Sequence, residues 1–286
     1  MSNVLCFDLY RYQIIPIARE FQLHLDREVD YEKVIRQKNS HFAEALIAAT
    51  FRYKRQLLVH SLDVITPSEN FLLTIAREKQ VSRYTEDFKK EQIESFPPTR
   101  IFIINRSDVQ ICAVERNMYF SHTDVIVNKI IAPEINRYLK KNYLTAKFSA
   151  ITDKNSFWDF AKKNEGKVTS IEFHLVTPNM SNMSAMLSEE LKSVAKGTRA
   201  ATTNVKLKSE HKNYLEVSRE NKQLADIVNY AAQGGGDVFV KITGKKARFV
   251  LGENQVTIDI PSSSIDSESR EQLPKQISEY VNGYFR

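Results

Sequence analysis

The sequence predicts a mixed α+β fold, in two sub-domains of mostly antiparallel sheet with helices packed on one side. Three observations point there. Runs of alternating apolar residues recur in both halves, helical apolar stripes stand between them, and Gly and Pro number only eight each in 286 residues. So few turn residues argue against an all-β chain and against Gly-rich phosphate loops. With 42% hydrophobic and 27% charged residues, each half can bury a core. The boundary is placed after residue 143, giving an N-terminal sub-domain 1–143 and a C-terminal sub-domain 144–286.

The run VLCFDLYRYQIIP opens the chain as a strand that Pro16 limits. Asp30 to Ala49 reads as helix, in two pieces broken near Asn39-Ser40, with Ala43, Leu46, Ile47 and Phe51 on one face. Thr50 to Val64 turns strand-like, and Phe71 to Ile75 is a short apolar strand. Residues 77–95 are so polar that they read as an exposed helix or a mobile connection, closed by Pro97-Pro98. Next, RIFIIN and VQICAVE, separated by Arg106-Ser107-Asp108, predict a β-hairpin over 100–115. Ser121, with Asp124 three residues on, is expected to cap a helix to about Lys140 that Pro133 kinks or divides.

From Thr145 the rhythm is strand, helix, strand: TAKFSAIT, SFWDFAKK and KVTSIEFHLV. A helix around Met183–Ala195, a strand at Thr202–Lys208 and a helix at Arg219–Ala232 follow. Leu224, Ile227, Val228 and Ala231 form the apolar stripe of that last helix, and Gly234 stops it. DVFVKIT, KARFVL and QVTIDI are closing strands. A final helix places Leu273, Ile277, Tyr280, Val281 and Tyr284 on one face.

Charge is the main guide to function. The net charge is +6, and residues 192–250 hold 12 Lys or Arg against 5 Asp or Glu. Such a segment is an anion-binding face, for which nucleic acid is the commonest partner, or else a solvated surface. Lys206, Lys208, Lys241, Lys245, Lys246 and Arg248 are its candidate phosphate contacts. Arg52, Lys54 and Arg55, interleaved with Phe51 and Tyr53, form a second basic and aromatic patch. No apolar run of about 18 residues exists, so no membrane span is predicted. Without a secretory leader, Cys6 and Cys112 are expected as free thiols in a cytoplasmic protein, and the sequons at Asn105, Asn179 and Asn182 carry no sugar.

Catalytic signals are sparse. Gly234-Gly235-Gly236 joins a helix end to a strand, the reverse of a phosphate loop, and reads as a helix stop. Trp158 reads as a core anchor. No cofactor is predicted, and no metal-ligand spacing occurs among the six His. Glu172 and His174 share one face of SIEFHLV and are the pair to consider for a nuclease, which would use Mg²⁺. Arg116 and His122 in RNMYFSH fit the Arg-to-His spacing of HEPN ribonucleases, which that segment resembles; the resemblance implies an all-helical setting and an acid–base role.

The stretches PPTRIFIIN, QICAVERN and SFWDFAKKNEGKVTSIEFHLVTPNM, between residues 97 and 180, resemble uncharacterised bacterial proteins from phage-defence and mobile-element gene neighbourhoods. That resemblance implies a role against foreign nucleic acid and assigns no catalytic residue. The functions expected are therefore nucleic-acid binding, a nuclease with a dispersed active site, or a non-enzymatic assembly subunit, homo-oligomeric or docked on a protein partner through 77–95.

Overall fold

The computed structural model describes residues 4–17, 31–177, 193, 197–198, 200–210, 213–245, 249–250, 254–265 and 268–285. Its spine is β1 (Val4–Pro16), whose 13 residues are long enough to take two partners end to end along one side. On that side it pairs with β15 (Thr257–Pro261) and then with β10 (Leu144–Ala150); on the other it pairs with β9 (Gln110–Glu115). β8 (Pro98–Asn105), β5 (Asn70–Ala76) and β4 (Val59–Thr66) extend the seven-stranded sheet outward from β9, and every pairing is antiparallel. The expected hairpin over 100–115 is the β8–β9 pair. Because β10 and β15 complete this sheet, it crosses the boundary placed after residue 143.

In chain order the helices are α1 (Tyr31–Arg36), α2 (Lys38–Ala48), α3 (Thr123–Val125), α4 (Ala132–Leu139), α5 (Lys154–Lys163), α6 (Lys222–Tyr230), α7 (Ser262–Ile265) and α8 (Leu273–Tyr284). A π-helical stretch, Ile126–Ile131, joins α3 to α4, so Pro133 sits in the first turn of α4. Alternation along β1 sends Tyr10, Tyr12 and Ile14 into a core with Phe42 and Leu46 of α2 and Ile135 and Leu139 of α4. Phe7 and Leu9 point the other way, onto Leu273, Ile277 and Val281 of α8. The large sheet thus carries helices on both faces, and a strand covered twice reads as an almost unbroken apolar run.

A second, four-stranded antiparallel sheet has the order β12 (Thr202–Lys208), β11 (Val168–Val176), β13 (Gly236–Ile242), β14 (Phe249–Val250). Among the described residues, helices α5 and α6 cover one of its faces and no helix covers the other. Phe157, Trp158, Leu224 and Val228 pack there on Ile171, Phe173, Leu175, Val238 and Val240. Both helices start on a side-chain cap: Asp153 accepts from the Asn155 amide, and Asn221 from the Leu224 amide. Trp158 is the buried anchor expected of it.

Four local expectations are corrected. Residues 77–95 are neither helix nor loose connection but a hairpin, β6 (Lys79–Tyr84) with β7 (Lys90–Ser95), paired only with itself. Both its faces are wet, so its sequence lacks the alternation that one buried face imposes. Ile47 lies 64% exposed at the end of α2 while Ala43, Leu46 and Phe51 are buried. The break in the first helical region falls at Gln37, because Asn39 is anchored by donating from Nδ2 to the Asn105 carbonyl at 2.8 Å. Ser121 has a left-handed φ of 75° and caps nothing; His122 stands at the cap without a side-chain bond. Cys6 and Cys112 are free thiols. No described helix is long and apolar enough to cross a membrane. The expected helix at 183–195, Lys246, Arg248, Asn179 and Asn182 lie outside the described residues, apart from residue 193 itself.

Candidate nucleic-acid interface on the four-stranded sheet

Side chains directly opposite on adjacent strands share a face of the sheet. Three rungs cross β12, β11 and β13: Lys208–Ser170–Lys241, Lys206–Glu172–Phe239 and Asn204–His174–Asp237. All nine residues lie on the face away from α5 and α6. The structure therefore brings together, on one surface, three of the predicted phosphate contacts and the predicted Glu172–His174 pair. Lys245, another of the predicted contacts, is exposed just past the turn at the end of β13 and lies outside these rungs. Sequence reasoning missed Phe239, yet DVFVKIT carries a signal: its Phe alternates in step with Asp237 and Lys241, and its valines do not.

Within the face, His174 Nε2 lies 3.0 Å from Glu172 Oε1, and Lys206 Nζ lies 3.5 Å from Glu172 Oε2. Glu172 is thus committed to two neighbours, an imidazole and an ammonium. Among the described residues, no carboxylate pairs with Lys208 or Lys241. The His174 ring stands over Phe239, centroids 4.7 Å apart and planes 51° apart. An aromatic pair with lysines to one side offers one surface for a base and others for its phosphates.

At one end the face meets β10 and the π-helical stretch, and a cleft opens between them. His174, Asn204, Lys147, Asn136 and Asp237 line one part of it. Tyr10, Asp124, Phe148, Phe239 and Asp237 line a second part, a cavity of about 340 Å³. Asp237 opens onto solvent, but the packed mouth of the cleft desolvates its carboxyl and raises its pKa, with Asp124 adding to the rise and His174 and Lys147 opposing it. Desolvation likewise lowers the pKa of Lys147, against the pull of Asp237. The folded chain therefore holds the Asp237 proton more tightly than the unfolded chain, and stability falls as pH rises through the raised value. Asp237→Asn is expected to raise Tm at pH 7, with the gap narrowing as pH falls toward the ordinary value of 3.8; thermal melts across that range check it.

The cavity is braced from behind by a buried chain of hydrogen bonds. The exposed Arg116 donates from Nε to Asp8 Oδ1 at 2.6 Å, Thr123 Oγ1 donates to Asp8 Oδ2 at 2.6 Å, and Tyr10 OH lies 2.8 Å from Thr123 Oγ1. Since the Thr123 proton goes to Asp8, Tyr10 donates to Thr123; burial pushes the phenol up to about 12 and keeps it protonated. Thr123→Val leaves Tyr10 and Asp8 short of a partner and is expected to cost about 1–3 kcal/mol, read from denaturant unfolding. Arg116 therefore serves a structural ion pair. With His122 exposed and residues 116–122 in turns rather than a helix, the segment lacks the helical frame that its HEPN resemblance implies.

The triglycine does more than end the π-helical stretch, Ala231–Gly235, that follows α6. Gly234 has φ 80°, and a Cβ there would stand 2.5 Å from Arg11 Cβ. A Cβ on Gly236 would stand 2.2 Å from the His174 carbonyl oxygen. Arg11 is buried and donates from Nε to the Gln233 carbonyl at 2.6 Å, and burial lowers its pKa to about 10. These contacts lock the strand that carries Asp237 and Phe239 against β11 and β1.

Arg52, Lys54 and Arg55 belong to a separate, exposed hairpin, β2 (Arg52–Tyr53) and β3 (Gln56–Leu57). Its two turn residues, Lys54 and Arg55, have left-handed φ of 47° and 69°. Phe51 is buried, while Tyr53 meets Phe120 edge-on, with Lys54 and Arg77 near its ring. Among the described residues, no polar contact links this patch to the sheet face. Among the described residues, no three His, Cys, Asp or Glu gather in a way that could hold a metal ion. Neither a known family model nor a curated protein sequence matches the chain.

Proposed function

We propose that this protein binds single-stranded nucleic acid across the open face of its four-stranded sheet. One observation carries the reading: Lys206, Lys208 and Lys241 lie to one side of the Phe239–His174 ring pair on a face that no described helix covers. Lysines positioned on a strand pair bind phosphates without reading sequence. A ring beside them takes a base face only where the base is unstacked, which favours single strands over duplex. A role in bacterial defence against foreign nucleic acid fits the resemblance noted for residues 97–180. Ultraviolet cross-linking of a labelled single strand tests the site directly. Adducts are expected on peptides spanning β11 and β13, and adducts confined to other segments would contradict it.

The bond between Glu172 and His174 favours a second reading, a nuclease, because a carboxylate that orients an imidazole is a common form of general acid–base pair. The described residues supply no metal-binding set, so no metal-dependent step is derived. Strand cleavage lost in both Glu172→Gln and His174→Ala would establish this activity. Intact strands after long incubation would leave binding alone.

A further inference from the structure

The cavity beside the sheet face shares its wall with the proposed nucleic-acid track. Phe239 stands on the same rung as Lys206 and also lines the cavity; Asp237, two residues along β13, faces His174 and lies at the cavity mouth. A strand held by the lysines is thus delivered to the opening. At about 340 Å³ the space lies at the small end of ligand sites, suited to a flat ring rather than an extended ligand.

Its chemistry is selective. Phe148, Tyr10 and Phe239 supply aromatic walls, Asp124, Asp153 and Asp237 supply carboxylates, and Lys154 supplies one ammonium. Asn128 donates from Nδ2 to Asp124 Oδ1 at 2.6 Å, which fixes that carboxylate and leaves the Asn128 oxygen as another acceptor. Three carboxylates against one ammonium leave the lining net negative and repel phosphate and other anions, so the occupant is not the backbone. An acceptor-rich rim accepts from an amine and repels a carbonyl. Cytosine and adenine present an exocyclic amine where uracil and thymine present a carbonyl.

We infer that this cavity takes one unstacked nucleobase bearing an exocyclic amine, with Phe239 against its face and the Asp237 carboxylate accepting from the amine. The inference rests on the proposed single-strand reading and adds to it a base preference. Because the track itself reads no sequence, the whole preference resides in this one cavity.

Fluorescence anisotropy with labelled homopolymeric strands of C, A and U, at one salt concentration, tests it. C and A are expected to bind about tenfold tighter than U, the lower end of what a well-made contact to a base edge contributes. In Asp237→Ala the C-to-U and A-to-U affinity ratios fall to about one, whatever the uniform change from losing a negative charge. Asp237→Asn, which keeps the side-chain volume, lowers the same ratios and guards against a folding artefact. Equal affinities for the three strands in the unaltered protein, tighter binding of U, or ratios unmoved by Asp237→Ala would overturn the cavity assignment. Lys208→Glu separates the two levels. Equal affinities that it weakens alike leave the sheet-face reading standing and remove only the cavity, whereas binding that is absent or indifferent to it removes both.

Discussion

A chain carrying Lys208→Glu and Lys241→Glu is expected to bind single-stranded nucleic acid about a hundredfold more weakly at low salt while melting at an unchanged temperature. Two unit charges 4 Å apart in water interact by about 1 kcal/mol, so reversing one lysine at a phosphate changes the energy by about 2 kcal/mol. Screening trims that to roughly tenfold per site. Both side chains are exposed, and no described carboxylate pairs with them, so the fold loses nothing. Lys206 is the poorer target because its removal also strips a partner from Glu172. Anisotropy titrations beside thermal melts check both halves. A loss of affinity with an equal loss of stability would point to damage rather than contact.

Gly236→Ala is expected to produce the largest loss of stability of any single methyl addition at a described glycine. The added Cβ would stand 2.2 Å from the His174 carbonyl oxygen and 2.9 Å from Leu175 Cα, both backbone atoms of the paired strand. Backbone in a sheet cannot yield as the tip of a side chain does, so β13 must part from β11. A cost of roughly 3 kcal/mol or more follows, in the range that marks a broken structural requirement. Gly166→Ala is the internal comparison: φ is 66° but nothing lies within 4 Å of the added carbon, so only the left-handed penalty of about 1–2 kcal/mol applies. Denaturant unfolding of the two variants measures the difference. Since Asp237 and Phe239 ride on the displaced strand, Gly236→Ala also loses nucleic-acid affinity, and Gly166→Ala keeps it.

Much of the architecture is written locally. The RIFIIN and VQICAVE runs are legible as a hairpin because a short polar loop separates two β-rich apolar stretches, and the Glu172–His174 pair is legible because strand alternation alone sets those two residues on one face. The sharing of that face by Lys206, Lys208, Lys241 and Phe239 is not local. It depends on the register of three strands separated by tens of residues, and a slip of one residue would reverse every side chain. The cavity lies further from the sequence still, for Tyr10, Asp124, Phe148 and Asp237 come from four segments that meet only in the folded chain. The β6–β7 hairpin was illegible for the opposite reason. With Tyr84 and Phe88 exposed and Val81 opposite Ile93 as its main apolar cross-strand pair, it buries too little to leave a pattern.

If the lysines of the open sheet face hold phosphates, the affinity must depend on salt, and a titration across salt concentrations reads that dependence. Neutralising three phosphates of a single strand predicts that log affinity falls linearly with log salt concentration, with a slope of about −2. That slope is expected for single strands in the unaltered protein, and a value near zero once Lys206, Lys208 and Lys241 are all replaced by Gln. Binding that is absent at low salt, or whose slope survives the triple replacement, would contradict it.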